Sequence, residues 1–379
     1  MKILTVDIGT GTQDIFLFNS RLDIENGYKL ILPSPTMIVH RKLNQAAQAK
    51  QGVILYGVIM GGGPSAWAVE NLIKLGLKVY ATPDAARSFN DDLDAVQASG
   101  VVLISEDEIS SLPTELLRVE LKDFDYEAIY SAFSAFGVSL SDLSALAVAV
   151  FDHGNAPKEI SDRQFRFDYL DQRIRAQNRL SAFAYLKNDI PPSMTRLQAV
   201  ARSASKLELP LIVMDTAPAA ILGALYDPFV SHNPTNLVVN IGNFHTLAFR
   251  LGPQNIEGVF EHHTGLLTLS SLEKLLASFA EGSLTHADVF EHQGHGALLY
   301  TKQPMLFGKG PYDLVATGPR RAMLRGSKLH VYNAVPFGDM MIAGCFGMLA
   351  AAMELLPDKH DEIAAALSAK GSQTAPWDA

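Results

Sequence analysis

The sequence predicts an α/β protein of two lobes, each a mixed sheet flanked by helices, with a central cleft between them. Three observations lead there. At 379 residues the chain is too long for one ordinary core and suits two domains. Segments with strand-like and helix-like patterns alternate along most of its length. A strand, a polar glycine turn and a second strand occur near residue 10 and again near residue 242. The lobes are expected at residues 1–206 and 207–379.

The chain opens with β-prone residues 2–6, a turn at 9–11 and β-prone residues 15–18, which together predict a hairpin. Residues 57–60 lead into Gly61, Gly62, Gly63, Pro64 and Ser65, an amphipathic helix to Leu75, a stop at Gly76 and a strand at 78–81. A helix at 126–136 precedes 145–151, the near-continuous apolar run that a buried parallel strand needs. Residues 163–188 read as mostly helical, and a helix at 193–207 closes the first half. The second half is expected to open with a strand at 209–214 and a helix at 218–226, then strands at 236–239 and 245–251. Farther on come a strand at 314–316, a Gly318-Pro319 turn, a helix at 320–324, a strand at 328–331 and a long helix at 338–355. From Ser372 onward no pattern is visible, and that tail is expected to be loose.

Composition narrows the function classes. With 48% hydrophobic and 19% charged residues there is ample apolar material for packed cores. A formal net charge of -9 argues against binding a nucleic-acid backbone, which needs clustered Lys and Arg. The single cysteine, Cys345, excludes an intramolecular disulfide and a multi-cysteine metal or iron–sulfur site within one chain. The sequence reaches Asp7 before a signal-like apolar region forms, and no run of roughly eighteen apolar residues follows, so a cytoplasmic protein without membrane contact is expected. The longest apolar run, 340–353, contains Gly344 and Gly347 and reads as a tightly packed helix.

The motif VDIGTGTQDIFLF (6–18) has the residue types that phosphate binding needs. A glycine turn lets backbone amides approach phosphate oxygens, the hydroxyls of Thr10 and Thr12 add donors, and a carboxylate such as Asp7 orients Mg²⁺ through water. The motif NLVVNIGNFHTLAF (236–249) repeats the scheme, and paired loops facing each other hold a triphosphate from both sides. An ordinary hairpin turn has the same composition, so the pair is more specific than either member. In MDTAPAAILGALYD (214–227) the alanines and Gly223 suit close helix packing, which leaves Asp215 at the strand end for chemistry. LVATGPRRAML (314–324) puts Gly318 and Pro319 at a helix start, a flat surface suited to a base and ribose.

In this order the segments resemble the phosphate-1, connecting, phosphate-2, adenosine and final connecting motifs of the acetate and sugar kinase, heat-shock chaperone and actin superfamily, with PFGDMMIAGCFGMLAA (336–351) as the last. The resemblance implies a two-lobed actin-like ATPase fold, ribonuclease H-like, with ATP and Mg²⁺ between the lobes. It implies an ATPase or small-molecule phosphotransferase, with a small-molecule or protein substrate that the sequence does not name. Asp7 would orient the metal, and Thr10, Gly11, Thr12 and Gln13 would hold phosphates. Gly242, Asn243 and Thr246 would close from the other lobe, and Gly318 and Pro319 would meet the nucleoside. The second loop departs from the pattern: Asn240 replaces the usual acid, Asn243, Phe244 and His245 fill the turn, and Leu247 and Ala248 stand where another acid is usual. These changes favour nucleotide binding over fast hydrolysis and keep open a nucleotide-gated sensor without turnover. More closely, the whole chain looks like a prokaryotic family of this fold that has been labelled a pyruvate formate-lyase activating enzyme. That label implies radical chemistry on a three-cysteine cluster, which Cys345 alone does not supply.

Other constellations invite chemistry. Asp152, with His153 and Gly154, follows a buried strand, where α/β folds place catalytic groups, so Asp152 is expected as a base toward an acceptor hydroxyl or water; a capping role is the alternative. The Gly61 to Ser65 junction offers amides to an anion or is a plain tight turn. Arg163 and Arg166 form either an anion clamp or a solvated face. His262, His263, His292 and His295, with Glu261 and Glu291 beside them, would make a metal-dependent hydrolase only if the chain between them folds back.

Overall fold

The computed structural model describes residues 1–368 and 375–378. Strands β1 (Lys2–Ile8) and β2 (Thr12–Asn19) form an antiparallel hairpin, buried along most of its length because both faces are apolar. Strand β3 (Tyr28–Pro33) adds to β2 as a largely exposed edge. Ser34 caps helix α1 (Pro35–Gln48) by accepting the Met37 N–H at 3.2 Å, with proline at the first helical position. The chain then leaves this sheet for a smaller parallel one, made of β4 (Val53–Gly57), β5 (Val79–Ala81), β6 (Val102–Leu103) and β7 (Leu117–Leu121) in the order β6-β5-β4-β7. Helix α2 (Pro64–Lys74) links β4 to β5. After α3 (Tyr126–Ala135), β8 (Leu143–Val150) returns to the first sheet parallel to β1. Helix α4 (Asp162–Ala176), β9 (Ala184–Leu186), α5 (Thr195–Ser203) and β10 (Leu211–Asp215) complete that half, giving the order β3-β2-β1-β8-β10-β9.

Helix α6 (Thr216–Ala224) leads to an antiparallel run of β11 (Asn236–Ile241), β12 (His245–Leu251) and β13 (Ile256–His263). Helix α7 (Leu269–Glu281), β14 (Gly296–Leu299), β15 (Leu314–Thr317), β16 (Val331–Asn333) and α8 (Ala343–Leu355) follow. This sheet runs β14-β13-β12-β11-β15-β16, with β15 parallel to β11 and β16 parallel to β15. The two large sheets therefore share a plan: an antiparallel trio whose first strand pairs in parallel with a later one, which pairs with another. That 3-2-1-4-5 order is the ribonuclease H-like unit, and its duplication is the actin-like fold expected from the sequence.

Several expectations are corrected. Strand β10, expected to open the second half, is a central strand of the first sheet, buried between β8 and β9. We propose the lobe boundary after α6, at about residues 227–236, in place of 206. The helix expected over 163–188 ends at Ala176; a buried 3-10 turn, Leu180–Phe183, follows it and leads into β9, the edge strand beside β10. Residues 321–324 make a single 3-10 turn, and the strand expected at 328–331 lies at Val331–Asn333. The last long helix begins at Ala343 because Phe337 and Gly338 adopt φ values of 50° and 76°. The loose tail expected from Ser372 lies outside the described residues apart from 375–378, where Pro376–Asp378 forms a short 3-10 turn.

The small residues of α6 and α8 do act in packing. A Cβ on Gly223 would lie 1.7 Å from the Ala343 carbonyl oxygen, and one on Gly347 would lie 1.9 Å from that of Ala219, so the helices cross backbone to backbone. Among the described residues no helix is long and apolar enough to cross a membrane. Gly223→Ala is expected to cost about 1–3 kcal/mol by overpacking. Gly265→Ala, where a Cβ meets nothing within 4 Å, is expected to stay within about 0.5 kcal/mol. Urea unfolding followed by circular dichroism compares the two.

Candidate functional site

The two glycine turns close in the same way. The Gly9 N–H donates to the Thr12 carbonyl at 2.9 Å, and the Gly242 N–H to the His245 carbonyl at 2.9 Å. This makes Asp7 equivalent to Asn240, Asp14 to Leu247 and Gln13 to Thr246. The turns also face each other, since a Cβ on Gly11 would lie 2.3 Å from Asn243 Nδ2. Between them is a cleft of about 840 Å³, open to solvent, that brings together Asp7, Thr10, Thr12, Gly242, Asn243, Gly318 and Pro319. Asp14, Thr216, Asn240, Thr317 and Gly344 line it too. Gly318 has φ 94°, and a Cβ there would lie 2.3 Å from Asn240 Oδ1, so only glycine fits.

Gln13 and Thr246 are not part of the lining, because strand alternation turns both away. Gln13 Nε2 donates to the Pro33 carbonyl at 3.0 Å, and the Thr246 and Thr264 hydroxyls bond at 3.0 Å. Alternation likewise delivers a residue that motif reading missed. Asp14 stands directly opposite Asp7 in the hairpin, a placement legible from their symmetry about the turn.

The Asp7 Oδ1 accepts the Thr216 hydroxyl at 2.5 Å, and α8 approaches so closely that a Cβ on Gly344 would lie 1.8 Å from Oδ2. Burial pushes the Asp7 carboxyl up to about 7, with the Asp215 charge adding to it. Burial, then the charge of Asp7, pushes Asp14 up to about 8. Asp14 Oδ1 is buried without a hydrogen-bond partner. Two facing carboxylates with an orphaned oxygen fit a hard divalent cation such as Mg²⁺. The unfolded chain releases these protons near pH 4 and the folded chain holds them to about 7–8, so their contribution to stability is present below about pH 4 and lost as pH rises through 7–8. Asp14→Asn is expected to reduce the fall in urea midpoint between pH 5 and about 8; an unchanged fall would contradict the pairing.

Asp152 and Asp215, the other two carboxylates expected in chemistry, lie outside the lining of the cleft. Asp152 is buried, its Oδ1 accepting the Gly154 N–H at 2.9 Å and its Oδ2 the Leu197 N–H at 2.9 Å in the first turn of α5. Each oxygen thus accepts one backbone N–H, as in a capping acid. Asp215 caps α6 through the Ala217 N–H at 3.2 Å and pairs with Arg166. Arg166 is neither a clamp nor a solvated side chain: it is wholly buried. Its Nη1 also donates to the Asp152 carbonyl at 3.0 Å, its Nε to Glu261 Oε2 at 3.2 Å, and its guanidinium lies 4.6 Å from the Phe151 ring centre. Burial opposes the Arg166 charge, but Asp215 and Glu261 outweigh it. Arg166→Met is expected to cost about 3–5 kcal/mol by leaving two buried carboxylates without a cation. The loss should be smaller at pH 5 than at pH 8, since carboxylates deprived of their cation are protonated more readily in the folded state. Unfolding midpoints at the two pH values check this.

A second depression adjoins the cleft and shares Thr10, Phe151, Arg196, Phe244 and His245 with it. Gly61, Gly62, Gly63, Arg163, His263 and His295 line it as well. The Gly61 N–H is already used, donating to Asp123 Oδ1 at 3.3 Å, and Arg196 grips the same carboxylate at 2.6 and 2.9 Å. Of the four histidines expected together, His263 and His295 share a candidate metal group among the described residues, and His245 joins them. His262 Nδ1 lies 3.2 Å from the His263 carbonyl oxygen, while His292 and Glu291 are exposed. His245 is absent from that expectation because its partner is set by strand register, His245 opposite His263, and not by sequence spacing. Burial lowers all three imidazoles; His295 is pushed down to about 2.

A family model matches residues 60–323. The chain belongs to that family, described as "Putative pyruvate format-lyase activating enzyme (DUF1786)". No curated protein matches it. Among solved structures, the chain is similar to an inorganic polyphosphate/ATP-glucomannokinase from Arthrobacter sp. strain KM at 13% identity, covering 93% of this chain and 99% of that one with a TM-score of 0.35. It is similar to the activator of 2-hydroxyisocaproyl-CoA dehydratase from Clostridium difficile, with bound ADPNP, at 9% identity, covering 96% and 98% with a TM-score of 0.34. A ROK family transcriptional regulator, a homolog of the E. coli MLC protein, is 6% identical; 67% of this chain spans 37% of it, with a TM-score of 0.26. Likenesses at these scores carry no argument, and the actin-like plan rests on the order of the chain's own strands.

The residues of this DUF1786 member do not fit the radical chemistry in the family's description. Its one cysteine is fully buried, with Sγ 3.2 Å from the Asp14 carbonyl oxygen, and burial raises the thiol well above its usual range. A neutral thiol beneath a strand is not a cluster ligand.

Proposed function

We propose that the cleft between the two glycine turns binds ATP with Mg²⁺, and that the protein is an ATPase or a small-molecule phosphotransferase of the cytoplasm. The observation that carries this reading is the approach of Gly11 to Asn243, which brackets one space between two identically closed turns. Backbone amides of both turns and the hydroxyls of Thr10 and Thr12 are the phosphate donors. Asp7 and Asp14 hold the magnesium, which when bound offsets phosphate charge. Gly318 and Pro319 form the surface for the nucleoside. Rate enhancement in such a site comes from fixed dipoles and positioning. The adjoining depression, with Arg163 and Arg196 in its lining, is the place for an acceptor.

A nucleotide-gated sensor is the second reading. Asn240 and Leu247 occupy the positions equivalent to Asp7 and Asp14, so one lobe alone supplies carboxylates. Calorimetric ATP affinity and phosphate release, measured separately with Mg²⁺, divide the two readings. Asp7→Asn and Asp14→Asn are each expected to weaken Mg-ATP binding about tenfold or more, roughly the loss of one charge-assisted contact. Tight binding without turnover, with or without candidate acceptors, assigns the sensor; failure to bind ATP removes both readings.

A further inference from the structure

We infer that His245, His263 and His295 form a site for one divalent transition-metal ion whose open positions face the second depression and accept an oxyanion. Their ligand nitrogens all lie within 4.8 Å of one another. The ring centres are 5.2 Å apart for His245 and His263, 5.0 Å for His245 and His295, and 4.6 Å for His263 and His295. With bonds of ~2.0–2.1 Å, a tetrahedral ion spaces its donor atoms ~3.3 Å apart, so shifts on the order of an ångström close the group.

A second observation points the same way. His295 Nδ1 faces Glu261 Oε1 at 3.5 Å, and both atoms are buried without a hydrogen-bond partner. A metal-bound imidazole turns its other ring nitrogen to a carboxylate, which fixes the ring and strengthens it as a ligand. Glu261 is itself anchored by Arg166 at 3.2 Å. The arrangement leaves His295 Nε2 for the depression.

Ligand chemistry separates this site from the Asp7–Asp14 pair. Three imidazoles without a carboxylate among the ligands suit zinc, cobalt, nickel or iron, whereas facing carboxylates suit Mg²⁺. Three protein ligands leave room for at least one exogenous group. Arg163 lines the same depression, held by Nη1 donating to the Phe290 and Gly294 carbonyls at 3.0 and 2.7 Å, and its charge favours phosphate or carboxylate.

The site does not depend on the nucleotide reading, and its test contains no nucleotide. The full chain, stripped with a chelator, is titrated with Co²⁺ and followed by visible absorption. One ion per chain is expected. His263→Ala and His295→Ala should each weaken binding at least tenfold, and Glu261→Gln about 10–100-fold. His262→Ala should bind as the parent does. His263→Asn replaces any variant whose circular dichroism shows misfolding. Inorganic phosphate should then alter the Co²⁺ spectrum. The metal site is overturned if the folded parent binds no stoichiometric Co²⁺, or if His262→Ala weakens binding as much as His263→Ala; an unchanged spectrum on adding phosphate overturns the oxyanion.

Discussion

One buried guanidinium ties the two large sheets together. Arg166, on α4, reaches the backbone at the end of β8, the carboxylate at the end of β10 and Glu261 on β13 of the other sheet. A buried ion pair is rarely worth more than well-packed apolar side chains, because both partners lose their hydration. Its value lies in direction. A planar guanidinium accepts carboxylates and carbonyls only along its fork, so the two sheets meet at a defined angle. The two glycine-turn hairpins, one from each sheet, depend on that angle to come within contact of each other at Gly11 and Asn243.

The same electrostatics account for the asymmetry of the hairpins. Asp7 and Asp14 already share a buried site, and burial, with the charge of Asp7 adding to it at Asp14, pushes both well above the ordinary carboxylate range. Acids at 240 and 247 would add two more charges across the same cleft. Asn240 and Leu247 avoid that cost, and Asn240 Oδ1 instead packs where Gly318 leaves room for it. Carboxylates thus stand on one side of the cleft and neutral groups on the other.

Much of the fold was legible because its signals are local. Glycine turns between apolar strands mark both hairpins, and apolar runs mark β8 and α8. What escaped depends on partners distant in sequence. The exposed edge strand β3 carries only the short apolar run YKLILP, whose period does not tell strand from helix, and β10 joins the first sheet because β8 and β9 flank it, which no local signal states. Asp152 stands where strand ends hold both catalytic and capping acids, and the Leu197 N–H it accepts is 45 residues away in sequence. Asp14 was available from register arithmetic alone, since a hairpin closing at Gly9 and Thr12 sets it against Asp7. The histidine group named from the sequence omits His245, which strand pairing sets opposite His263.

The departures in the second turn acquire a physical role once its neighbours are known. A turn that served phosphate alone would favour small residues, as the first turn does. Asn243, Phe244 and His245 instead present an amide and two rings. The Phe244 ring lies 6.1 Å from that of Trp67 on α2 and within 3.7 Å of a Cβ on Gly63, so it meets the glycine loop of the smaller sheet. His245 stacks on Phe151 at 4.1 Å, at the end of β8, and turns toward His263 and His295. Both rings line the cleft and the second depression at once. The residues that set this turn apart from the first are therefore the ones that build the wall the two chambers share.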